Sequence, residues 1–266
     1  MAPKRVVYFV ITIAALWLMG SPPASMAQPG IERMVWIGDV ALVWVLVMFI
    51  LLVRATVASL DRNLQPSLTM APVAEERMPD ALRAAADRFA ALGFTRATPP
   101  LAVALSHPGL LLGFVQEGGD VAGSAFCVER PASLPALTSF DVFSRFEGDR
   151  GGLTTSPSRS AAVLHPTPGA LRQVFPGADA ATLLARHREA LAWLSTQGIR
   201  ARPLRGAEFE TLFRSAMERH RAAFVAARLR FAFTAIWRVV SRTTPNLGPL
   251  PRQRAARAEI RRLARP

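Results

Sequence analysis

Residues 34–53 form the most apolar stretch of the chain, twenty positions with one ionisable group, Asp39, closed by Arg54. A helix rises about 1.5 Å per residue, so this length predicts a transmembrane helix of about 30 Å. Asp39 lies near Trp36, which fits headgroup depth at the outer end better than an intramembrane proton site. Residues 1–27 carry a basic start at Lys4 and Arg5, then an apolar run, then the small-residue end Ser25-Met26-Ala27. This pattern fits a signal peptide or a first transmembrane helix. Either reading places everything after residue 53 on the cytoplasmic side of a bacterial inner membrane, because arginines follow the span.

Beyond the span the periodicity changes. Residues 54–79 contain Pro66, Pro72 and Pro79 and read as a linker. In 80–92, Leu82, Ala85, Phe89 and Leu92 recur at three- and four-residue spacing, predicting a helix stopped by Gly93. Short apolar runs at 101–106, 110–116, 121–129 and 139–146 are separated by turn residues, which predicts an antiparallel sheet of four to five strands. Residues 156–179 read as loop. Leu183, Leu184, His187, Leu191 and Leu194 then mark a helix over 180–196 that Gly198 ends. Residues 80–206 are thus expected to be a small α+β cytoplasmic domain, its sheet flanked by helices. Residues 207–242 lack proline and predict one long amphipathic basic helix. Residues 243–266 read as a disordered Arg-rich tail.

Charge sharpens the picture at one end only. Of the net +13, residues 214–266 supply +11, with 13 arginines against Glu218 and Glu259, whereas 54–213 is nearly balanced. Arg214, Arg221 and Arg228 recur every seven residues, and Arg242 continues their line. Together with Arg230, Arg238, Phe224, Phe231 and Trp237 they form the expected lipid- or partner-binding set. Three readings of 222–240 stay open: an interfacial helix, a helix packed on the domain or a partner, and a further span. The span would bury Arg228 and Arg230 at about 3 kcal/mol each. An interfacial helix avoids that by holding aromatic groups at the lipid boundary while the arginines reach headgroups. Nucleic acid is the lesser polyanion candidate, since no recognisable module precedes the arm.

Chemistry is sparse. The single cysteine, Cys127, excludes a disulfide within the chain and any multi-thiolate zinc site. His107, His165, His187 and His220 show no metal-ligand spacing. His187 lies on an apolar stripe, as a hydrogen-bonded core histidine would. Asp141, Glu147 and Asp149 fit a solvated turn better than a cation site. No catalytic, cofactor-binding or metal-ligating residue is assigned, and no cofactor is implied. The expectation is a non-enzymatic membrane-anchored interaction protein, an accessory subunit of a larger inner-membrane complex. Its partners would be membrane lipid and other membrane-protein subunits packed along the Gly38/Ala41 side of the span. The alternative is a membrane-tethered hydrolase built on His187 or His107 with the domain's carboxylates.

Overall fold

The computed structural model describes residues 30–63, 70–104, 108–116, 119–128, 137–159, 168–241, 244–254 and 256–265. The signal-peptide reading of 1–27, His107, His165 and Arg242 lie outside these residues. The chain divides into two compact units, Met1–Leu52 and Val53–Pro266.

The described helices are α1 (Gly30–Asn63), α2 (Asp80–Ala91), α3 (Ala180–Thr196), α4 (Phe209–Ala226), α5 (Arg228–Val240) and α6 (Ala256–Leu263). The strands are β1 (Met70–Pro72), β2 (Phe94–Arg96), β3 (Leu101–Ala104), β4 (Pro108–Gln116), β5 (Ala122–Val128), β6 (Leu137–Arg145), β7 (Gly152–Ser156) and β8 (Ala170–Val174).

Four expectations about the fold need correction. Among the described residues, no helix is long and apolar enough to cross a membrane. The apolar run at 34–53 is one section of the 34-residue α1, which continues through Arg54 to Asn63. Its later turns are used in packing on protein: Val53 is buried, and Val57 packs on Phe224 and Phe231. Earlier in α1, Val43, Val45, Leu46 and Leu51 are exposed.

The sheet, expected to be antiparallel with four to five strands, is mixed and has eight among the described residues. Its order is β1-β3-β4-β5-β6-β7-β8, with β2 also paired to β4. All pairs are antiparallel except β7 with β8. β2 and β3 lie in succession along one edge of β4, interrupted by Pro99 and Pro100, which cannot donate to the ladder. β1, β2 and β8 are short, and β8 falls in a stretch rich in proline and glycine.

Strand alternation gives the sheet two faces. On the first, Leu112, Phe114, Ala125, Cys127 and Val142 meet Leu82 and Phe89 of α2 and Leu183 of α3 in one core. Phe89 stacks on Phe114 at 4.5 Å and meets Phe94 edge-on at 5.2 Å. Helix α3 starts where Asp179 accepts the backbone N–H of Thr182 at 2.7 Å. On the second face, Leu101, Val103 and Leu111 pack beneath Phe209 at the start of α4.

The C-terminal tail, expected to be disordered, is folded. Leu250 of a 3₁₀ turn and Ile260 and Leu263 of α6 join Phe146, Leu153, Leu171 and Leu194 in a second core. The arginines between them lie at the surface, so a charge-rich stretch still buries apolar residues at helical spacing. The single long helix over 207–242 is also corrected. It breaks at Ala227 (φ −142°, ψ 41°) without proline or glycine. Residues seven apart on a straight helix are separated by about 10 Å along its axis. The break lets the Phe224 and Phe231 rings meet edge to face at 5.7 Å, and it ends the straight line of arginines.

Two substitutions test this packing. A Cβ on Gly123 would stand 2.3 Å from the Phe89 ring, whereas one on Gly206 would make an ordinary 3.6 Å contact with Ala97. Gly123→Ala should therefore cost about 1–3 kcal/mol in urea unfolding, with Gly206→Ala as the control near wild type. Leu250→Ala should cost about 2–5 kcal/mol. An unchanged urea midpoint for Leu250→Ala would mean that the tail is not docked.

Candidate functional site

Two groupings of polar side chains were candidates for chemistry, and the fold treats them differently. The first surrounds His187. The stripe of α3 places this ring over β6 and β7, fully buried. Its Nε2 lies 2.8 Å from Ser144 Oγ, and its Nδ1 lies 2.8 Å from Thr155 Oγ1. The Ser144 hydroxyl donates its one proton to the Asp120 carbonyl at 2.6 Å. Ser144 must then accept from His187 Nε2–H, and Nδ1 must accept from the Thr155 hydroxyl. The Gln173 side-chain amide donates in turn to Thr155 Oγ1 at 2.9 Å. A one-way chain results, from Gln173 through Thr155, His187 and Ser144 to the Asp120 carbonyl. Every position on the imidazole is used, and the ring is neutral. Burial pushes its pKa down from 6.5 to about 3. This arrangement suits a structural histidine and offers no open nitrogen to a substrate.

Asp141, Glu147 and Asp149 are not brought together around one ion. Asp141 is on β6, and the other two are in the 3₁₀ turn that follows it. Among the described residues no group of histidine, cysteine, aspartate and glutamate is placed to hold a metal. Cys127 is buried within β5.

The second grouping is the basic arm formed by α4 and α5. Arg214 is exposed and paired with Glu210 at 2.8 Å, one helical turn away. Arg221 and Arg238 are half-buried, while Arg228 and Arg230 are exposed. Burial lowers the pKa of Arg238 from the ordinary guanidinium value. Of the three aromatic residues expected to meet a partner, the fold exposes only Trp237, at 66%. Phe224 and Phe231 instead form the inward pair that joins α4 to α5, with Met217 and Val57 against them.

The sequence reading missed the stripe that takes their place. Val225, Leu229, Phe233 and Trp237 are all exposed, Leu229 at 62%. They recur every four residues, which puts the last three on one side of α5. Ala232 and Phe231 bury the opposite side. Helix α5 thus carries two apolar sides, with Arg230 at the edge of the exposed one. A second apolar set at a constant spacing of four was the available signal. It was obscured because Phe224 and Phe231 are the larger side chains on the competing face.

Comparison with protein-family models, curated proteins and solved structures gives no match.

The neutral His187 has a measurable consequence. Its folded pKa is depressed, so the unfolded chain binds the proton first as pH falls. Its contribution to stability is fully present above about pH 6.5 and is lost as pH drops towards 3. Urea midpoints should therefore fall more steeply with acidification in wild type than in His187→Gln, by up to about 1.4 kcal/mol per pH unit. Equal slopes would show that the ring is not held neutral.

Proposed function

We propose that the chain is a non-enzymatic interaction protein whose α4–α5 arm lies on anionic lipid. The carrying observation is the exposed stripe Val225, Leu229, Phe233 and Trp237, bordered by exposed Arg228 and Arg230. An amphipathic helix of this composition buries its apolar side at the boundary between headgroups and acyl chains. Its arginines stay with the phosphates. Each arginine near such a surface contributes about 1 kcal/mol. The α+β unit behind the arm supplies a folded support that fixes which side of α5 faces outward.

The cytoplasmic side expected from the sequence rested on the corrected span. The lipid contact proposed here needs only an anionic surface. An accessory-subunit role draws separate support from the exposed apolar side chains of α1, among them Val45, Leu46 and Leu51. Side chains of that kind suit packing against a helix of another subunit. Sizing of the complex extracted from its native source tests this role, and a lone monomer would count against it.

Vesicle co-sedimentation tests the lipid contact. The full chain should bind phosphatidylcholine vesicles that contain phosphatidic acid, and binding should weaken as salt is raised. Trp237→Ser should weaken partitioning by about tenfold, and adding Leu229→Ser and Phe233→Ser should abolish it. A triple variant that binds as well as wild type would remove the proposal.

A further inference from the structure

Among the described residues, the second face of the sheet holds a cationic group without a hydrogen-bonding partner. Arg172 points to this face from β8, opposite Thr154 of β7. Its side chain is half-buried, and no hydrogen bond or ion pair to it is formed among the described residues. Asp141 on β6 is an opposite charge that attracts it through space. Asp141 is itself poorly solvated: Ser156 hydrogen-bonds to it, but Oδ1 is enclosed without a partner. Burial pushes the Asp141 carboxyl up and the Arg172 guanidinium down. A guanidinium presents five N–H donors in a planar fork, and leaving them unmatched away from bulk water is costly.

Arg172 lines a pocket of about 420 Å³ between β8, the bend that joins α4 to α5, and the C-terminal segment. Arg230 enters from the bend, and Asn246 and Gln253 come from the C-terminal segment. Glu259 also borders the space, and its Oε1 accepts from Arg262 and from the backbone N–H of Gly169, so its charge is offset by Arg262. The remaining wall is apolar, with Phe231 and the alanines of the bend. The volume falls within the range of small-molecule sites.

We infer that this pocket binds a phosphate ester, with Arg172 and Arg230 gripping the phosphate oxygens and the apolar wall holding a small organic body. Two guanidiniums set in different elements match an anion with several oxygens better than a single carboxylate, and each can bind two oxygens at once. The bend at Ala227 is what brings Arg230 and Phe231 to the pocket, so the break in the helix and the site have one structural origin. The phosphate can belong to a lipid headgroup or to a free phosphorylated molecule. The inference rests on the pocket and shares only Arg230 with the lipid contact of the α5 stripe.

Calorimetry on the full chain tests it, with inorganic phosphate and glycerol 3-phosphate as probes. Both should bind, glycerol 3-phosphate more tightly, and both should raise Tm. Arg172→Gln should weaken binding about tenfold or more. Arg230→Gln, at an exposed position that the fold does not need, should do the same and guards against a folding defect in the first variant. No heat with either probe, or binding unchanged in Arg230→Gln, overturns the inference. Vesicles of phosphatidylcholine with phosphatidic acid distinguish the sources. Weaker vesicle binding by Arg172→Gln, whose side chain lies in the pocket and outside the α5 stripe, assigns the phosphate to a lipid headgroup, and unchanged vesicle binding assigns it to a free ester. Vesicle binding without phosphate binding removes the pocket proposal alone. Phosphate binding without vesicle binding removes the lipid contact alone.

Discussion

Phe89 and Phe209 close on opposite faces of the same pair of strands, each over a position where a methyl group is missing. Gly123 lies beneath Phe89, and Gly113 beneath Phe209. The two glycines are in adjacent register, since Gly113 pairs with Ser124 and Phe114 with Gly123. β4 and β5 are thereby buried on both sides, and the layers cannot be treated separately. Helix α2 is seated through Phe89, and the entry of α4 is seated through Phe209. From Phe209 the chain runs on to the bend, the exposed stripe and the pocket. The functional surface proposed here is therefore anchored in the centre of the sheet.

The bend carries a second constraint. A straight helix would keep the arginines in line and would separate Phe224 from Phe231. The break exchanges that regularity for an aromatic contact. It turns Leu229, Phe233 and Trp237 outward and places Arg230 beside β8. Hydrophobic packing, rather than a glycine or proline, decides the direction of the arm. The cost of one irregular residue is small against the burial of two phenylalanine rings.

Much of the domain was legible from local patterns. Helices α2 and α3 announce themselves through apolar residues at three- and four-residue spacing, and the glycines that follow them adopt φ of +79° and +80°. The apolar run at 139–146 locates β6, where Phe140 and Val142 join the first core. His187 reads as a core histidine, and its partner Ser144 belongs to a strand the pattern located. Other features depend on contacts distant in sequence. β8 is five residues long, and its parallel pairing with β7 has no local signature. The folded tail was hidden because arginine dominates its composition, although Leu250, Ile260 and Leu263 are what the core uses. The run at 34–53 was read by hydropathy alone, which cannot show that α1 continues and packs Val53 and Val57 on protein. The pocket could not be read at all: Arg172, Arg230 and Gln253 have no common spacing and meet only after three elements converge.

The hydrogen-bonded chain through His187 also discriminates between registers. A slip of one residue between β7 and β8 would exchange the two faces of β8. Gln173 would leave the buried chain, and Arg172 would enter the apolar layer beneath α3. Thr155 would lose its donor, and a guanidinium would lack any acceptor. An all-apolar layer at the same place would tolerate the slip far better. The polar chain thus acts as an error check on the parallel strand pairing, which no hairpin turn enforces, and it is made from uncharged groups whose donors and acceptors match in a single order.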